Sequence, residues 1–151
     1  MSLVEVLFGA SILSIFIVAL VVVFQSFLVH SFSSMEKVQA TLLAEEGLEA
    51  MKFVRDRGWE EHIGNLVSGD TYYVSFENNL WHATTVEQDM VDGRFYRTIV
   101  IEDVLRDSND DISDSGTNDP NTKKVSSYVS WLSGEATSTV DISTYITNLH
   151  E

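Results

Sequence analysis

Residues 6–24, VLFGASILSIFIVALVVVF, hold no charge and no proline. A helix on the surface of a soluble domain keeps one polar face, but here only Ser11 and Ser14 interrupt a surface that is apolar all round. About 20 such residues, rising ~1.5 Å each, cross a bilayer core of ~30 Å. The run therefore predicts a helix that spans or packs within an apolar phase. Beyond it the pattern changes without a break. Residues 25–57 contain no proline and one glycine, Gly47, and Ala40, Leu43, Ala44, Gly47, Leu48, Met51 and Val54 recur three or four apart on one helical face. Glu49 with Lys52, and Lys52 with Asp56, attract at helical spacing; Arg55 and Arg57 suit the carbonyl end, and Gly58 is placed to cap it. The expectation is one helix over residues 1–58, with a hydrophobic stem at 1–30 and an amphipathic half at 31–58. Globular helices average about 11–12 residues, so this length calls for a special architecture.

From residue 59 the period becomes two. Residues 71–76, 80–86, 94–104, 123–132 and 138–147 are rich in β-branched and aromatic side chains, and turn-forming pieces separate them: 77–79, 91–93, the long 107–122 segment and 133–135. An antiparallel sheet of about four or five strands needs a cover for its apolar face, which the amphipathic half of the helix supplies. The fold class expected is α+β, a long N-terminal helix packed on a β-rich head at 59–151. Trp59, Trp81 and Trp131 are expected as core anchors.

Charge sharpens this division. The chain of 151 residues carries a formal net charge of −14, from 23 Asp and Glu against 9 Lys and Arg. Residues 1–35 hold one residue of definite charge, Glu5, whereas residues 59–151 hold 17 acids and 5 bases. Nucleic-acid binding needs clustered positive charge, so no direct nucleic-acid partner is expected. No cysteine is present, which excludes disulfides, zinc–thiolate sites and thiol nucleophiles. A secretory signal would place basic residues before its apolar run, and none stands there.

The segment 107–122, DSNDDISDSGTNDPNT, is the best place to look for chemistry in the head. Asp107, Asn109 and Asp111 match the first ligands of an EF-hand loop, but Ile112 stands where glycine is required and Asn118 where a bidentate Glu belongs. A looser calcium site on Asp110, Asp111, Asp114 or Asp119 is the only cofactor reading; a solvated hairpin loop is the expectation. His30, His62, His82 and His150 show no metal-ligand spacing, and the scattered glycines form no phosphate loop or nucleophile elbow. Glu45, Glu46 and Glu49 read as a solvated helix face, and Phe24, Phe27 and Phe32 as packing. No enzymatic activity is expected.

Met1-Ser2-Leu3-Val4-Glu5, followed at once by the apolar run, resembles the mature N-terminus of type IV pilins and pilin-like pseudopilins, and residues 44–59, AEEGLEAMKFVRDRGW, resemble their helix-to-head junction. Val22 stands where many members have a proline, and the cysteine pair of many members is absent. The resemblance implies leader removal by a prepilin peptidase, methylation of the Met1 amine, a stay in the inner (cytoplasmic) membrane and assembly by a dedicated machinery into an extracellular helical homopolymer used for adhesion, motility or transport. It implies that Glu5 pairs with the Met1 α-amino group of a neighbouring subunit. A carboxylate within an apolar run costs ~2.5–3.5 kcal/mol at a helix centre, which such a pair offsets. Gly9, Ala10 and Ser14 are small enough to let stems approach closely. Two alternatives stand beside this: a minor pilin or pseudopilin of a secretion or DNA-uptake apparatus, and a single-pass anchored surface-binding domain.

Overall fold

The computed structural model describes residues 2–149. The chain forms two compact units that divide after Lys37, inside a single helix, α1 (Leu3–Asp56), of 54 residues. The apolar run thus stands as one unit, and the second half of α1 belongs with the sheet. Gly58 ends the helix as expected: with φ +145 it takes a conformation that side chains resist, and its N–H donates to the Arg55 carbonyl at 3.0 Å. One feature has no counterpart in the expectation, a single π-helical turn at Glu60–Gly64. It turns the chain toward the sheet and buries Ile63, while the buried Trp59 indole N–H donates to the Pro120 carbonyl at 3.2 Å.

Six antiparallel strands follow: β1 (Thr71–Glu77), β2 (Leu80–Thr84), β3 (Tyr96–Arg106), β4 (Ile112–Ser113), β5 (Thr117–Ser133) and β6 (Ala136–Thr147). The order across the sheet is β2-β1-β3-β5-β6, with β4 pairing to β3 alone. The β1–β2 turn is Asn78-Asn79, both at positive φ, the requirement of the two-residue hairpin whose twist matches its strands.

The largest departure from the expected pattern lies in 107–122, which is only partly loop. Thr117–Asp119 pair with Val104–Arg106, and β5 runs on from there. The register jumps between Asp103, opposite Lys123, and Val104, opposite Asp119, so residues 120–122 bulge from the ladder. Pro120, which cannot donate to a ladder, sits inside that bulge. Polar composition suggested loop; the Arg106–Asp119 pair described below explains strand.

The expected helix face is the observed one. Leu48, Met51 and Val54 pack with Tyr72, Val74, Ile99, Ile101, Val125 and Ile146, joined by Trp59 and Ile63. Further up, small Ala40 and Ala44 meet large Phe95 and Trp131, whose rings lie 6.0 Å apart. Small on helix against large on sheet, then the reverse, fills the layer evenly. Trp59 and Trp131 are core residues as expected; Trp81 is only partly buried, against Phe76 at 5.1 Å.

Gly47 marks the closest approach. A β-carbon there would lie 2.6 Å from Ser127 Oγ, 3.1 Å from Arg97 Cδ and 3.2 Å from Ile99 Cδ1. Its absence admits Arg97, whose guanidinium donates to the Leu43 carbonyl at 3.1 Å and pairs with Glu46 at 3.0 Å. At the other end of the contact, Arg57 donates to the Trp81 carbonyl at 2.8 Å and ties the helix terminus to the β1–β2 hairpin.

Candidate functional site

Within the first unit every described residue up to Met35 is exposed. The helix is long and apolar enough to cross a membrane, and no part of its most apolar stretch is buried. Ser11 and Ser14 return their hydroxyls to the carbonyls of Leu7 and Ala10, each at 2.8 Å, so the two polar side chains within residues 6–24 are satisfied by their own helix. A β-carbon on Gly9 would meet nothing within 4 Å. Gly9, Ala10 and Ser14 thus share one exposed stretch of small side chains.

Glu5 lies in the first helical turn, and its N–H donates to the Ser2 carbonyl at 3.0 Å. The positive helix end favours a carboxylate by ~0.3–1 kcal/mol. That is smaller than the ~2.5–3.5 kcal/mol for a charge set deep in an apolar phase. The first cationic side chain of the chain is Lys37, roughly 48 Å along the axis at ~1.5 Å per residue. Among the described residues, therefore, no Lys or Arg side chain of the stem lies near Glu5. Met1, the expected partner position, lies outside the described residues, as does His150.

The head's main concavity is a polar cleft of about 490 Å³ lined by Arg106, Asp107, Asp110, Asn118, Asp119 and Asn148, among others. Arg106 is its hub: Nε donates to Asp119 Oδ2 at 2.6 Å and Nη1 to the Asp110 carbonyl at 2.7 Å. Asp119 also accepts from the Asn121 N–H at 2.9 Å. Asp107 Oδ1 accepts from the backbone N–H groups of Asn109 and Asp111 at 2.8 and 3.1 Å, which folds the turn. Among the described residues no three His, Asp or Glu side chains are placed to hold a metal. The calcium candidates Asp110, Asp111, Asp114 and Asp119 are therefore not brought together as a ligand set. His30, His62 and His82 are likewise spread over different elements.

Burial pushes the Asp119 carboxyl up, but hydrogen bonds from Arg106, Thr122 and Asn121 outweigh it and leave the group below its ordinary range. A lowered native value stabilises the fold fully above the unfolded carboxylate pKa of ~3.9. That contribution disappears as pH falls through the lowered value. Asp119→Asn is thus expected to cost most stability near pH 7, with the gap to wild type closing below about pH 4. Thermal unfolding of the full chain in detergent from pH 7 to 2 measures it; parallel curves for the two proteins would remove Asp119 as the cause.

Cations of the head are paired within the chain: Arg97 with Glu46, Arg106 with Asp119, Lys123 with Asp103 and Lys124 with Glu102. Arg94 lies over the Phe95 ring at 5.8 Å. Arg97 and Ser127 went unnoticed in the linear pattern, and Arg57, expected only as a cation at the carbonyl end of the helix, also binds the β1–β2 hairpin. Arg97 left a signal, because it shares strand parity with Ile99 and Ile101 and so puts a charge on the apolar face. Comparison with protein families, with characterised proteins and with solved structures returned no match to the chain.

Proposed function

We propose that the protein is a non-enzymatic structural subunit of an extracellular type IV pilin-like filament, inserted in the inner membrane before assembly. One observation carries the proposal. A single helix joins a stem that is exposed and apolar on all sides, with one carboxylate at its start, to an amphipathic half that covers an antiparallel sheet. A stem of this kind is at home in lipid and in a bundle of its own copies, and transfer between the two gains little hydrophobic energy, so packing and the Glu5 charge select the arrangement. A simple anchor has no use for an unneutralised carboxylate at that place.

Surface filaments sheared from the native cells test the reading. Mass spectrometry of the N-terminal peptide is expected to find it abundant in the sheared fraction and beginning at an N-methylated Met1. The same peptide confined to membranes and unmethylated would overturn the proposal in favour of a single-pass anchored domain.

A further inference from the structure

The sheet ends in two dissimilar edges. β2 is short, five residues, which is one common way of blunting an edge. β6 is not blunted: it runs for 12 residues, and its ladder with β5 is unbroken from Thr122↔Thr147 to Ser133↔Ala136. It contains no proline, no lysine and no bulge, and its composition, ATSTVDISTYIT, favours strand. Among the described residues its outer side pairs with no strand. Such an edge offers a row of backbone donors and acceptors, and another strand is the group that satisfies it.

Charge points to the occupant. The head holds 17 acids against 5 bases, yet β6 carries one charge, Asp141. Two copies of so acidic a head repel one another, but along β6 each brings a single carboxylate to the contact. We infer that β6 pairs antiparallel with β6 of a second copy, joining two sheets into one.

The register follows from the pleat and from Asp141. Val140, Ile142 and Ile146 face the helix layer, while 137, 139, 141, 143, 145 and 147 alternate with them and are exposed. A two-fold axis normal to the sheet keeps both covering helices on one side, which requires like parity at every pair. Two such registers give the greatest overlap. One, centred on Asp141, sets that carboxylate against its own copy, and like charges directly opposite are destabilising. The other, centred on Ile142, pairs residues 137–147 with themselves in reverse: Asp141 falls opposite Ser143, Thr139 opposite Tyr145 and Ile142 opposite Ile142. That is the register inferred.

The same axis reverses the direction of the two helices over residues 38–56. Copies joined this way therefore cannot be neighbours in an array of one polarity. Taken with the filament proposal, on which this one step rests, the contact joins separate filaments.

Because the chain has no cysteine, the register can be read with introduced thiols in the full chain in detergent. Thr139→Cys and Tyr145→Cys both alter exposed outer-face positions and leave the core untouched. Mixed in equal amounts under a mild oxidant, the two variants are expected to form a disulfide-linked dimer at several times the yield of either variant alone. In the inferred register either variant paired with itself holds its thiols six residues apart, ~20 Å. Equal linking in the single-variant controls, or none in the mixture, would overturn the inference. So would preferential linking of Thr139→Cys to His82→Cys, which would mean head-to-tail pairing of β6 with β2. The experiment needs no filaments, so its outcome is separate from that of the N-terminal peptide.

Discussion

Glu5→Ala is expected to abolish filaments while leaving the amount of protein in the membrane unchanged. The substitution touches neither the core nor the cover of the sheet, since Glu5 lies in the first turn of an exposed stem, so the head folds as before. In the proposed assembly the variant would leave a neighbour's N-terminal amine without its counter-charge in an apolar surrounding. Removing one partner of a buried pair costs about 3–5 kcal/mol, which corresponds to roughly a hundred- to several-thousandfold in an association constant. Summed over a repeating contact, that penalty exceeds what shape-dependent packing recovers. The check is the ratio of sheared filament to membrane-bound subunit, with Glu5→Gln beside it to separate charge from volume. Normal filaments from the alanine variant would reduce Glu5 to a first-turn residue favoured by the helix dipole.

The second large effect belongs to the helix–sheet contact. Glycine within a helix costs about 1 kcal/mol relative to alanine, so on propensity alone Gly47→Ala should stabilise. The contact geometry reverses the sign. A β-carbon 2.6 Å from Ser127 Oγ, and close to Arg97 and Ile99, must swing the buried hydroxyl aside, push the layers apart or displace the guanidinium from the Leu43 carbonyl. Overpacking of this sort costs about 1–3 kcal/mol, leaving a net loss of up to about 2 kcal/mol after the propensity gain. Ser127 supplies the control. Its hydroxyl is fully buried and has no hydrogen-bond partner, so Ser127→Ala is expected to stabilise by about 1 kcal/mol. It also removes the nearest obstructing atom. The double variant should therefore be at least as stable as wild type and about 1–2 kcal/mol more stable than the sum of the two single effects, the coupling expected of neighbouring sites. Denaturant titration of the four proteins measures the cycle; additive effects would show that helix and sheet do not meet at this pair.

The helix and its buried face were legible because each is a local, periodic signal: an unbroken run followed by a three-or-four spacing that Ala40, Ala44, Leu48, Met51 and Val54 carry into the core. The hairpins were legible from turn chemistry, with Asn78-Asn79 at positive φ as the clearest case. Strand order and the start of β5 were not. Thr117–Asp119 look like loop residues by composition and become strand because Arg106, far off in sequence, binds Asp119. The π-helical turn after Trp59 escaped for a similar reason: its position is tied to a carbonyl at Pro120, which no local pattern announces. Of the candidate site, Glu5 stood out because nothing else nearby is charged. Arg97 did not, although its parity with Ile99 and Ile101 marked it.

The inward-turned hydroxyls of Ser11 and Ser14 bear on the mechanics of the proposed polymer. With those groups committed to their own helix, the run over residues 6–24 shows its neighbours contour and no polar group that specifies angle. Rolling or tilting one rod against the next exchanges dispersion contacts of about 0.1–0.2 kcal/mol each, many small terms that rise and fall smoothly. Lengthwise slip is different, because it separates the single charge from its counterpart. Such a shaft is keyed along its axis at one point and free to comply elsewhere: it bends and twists under load while its repeat distance holds.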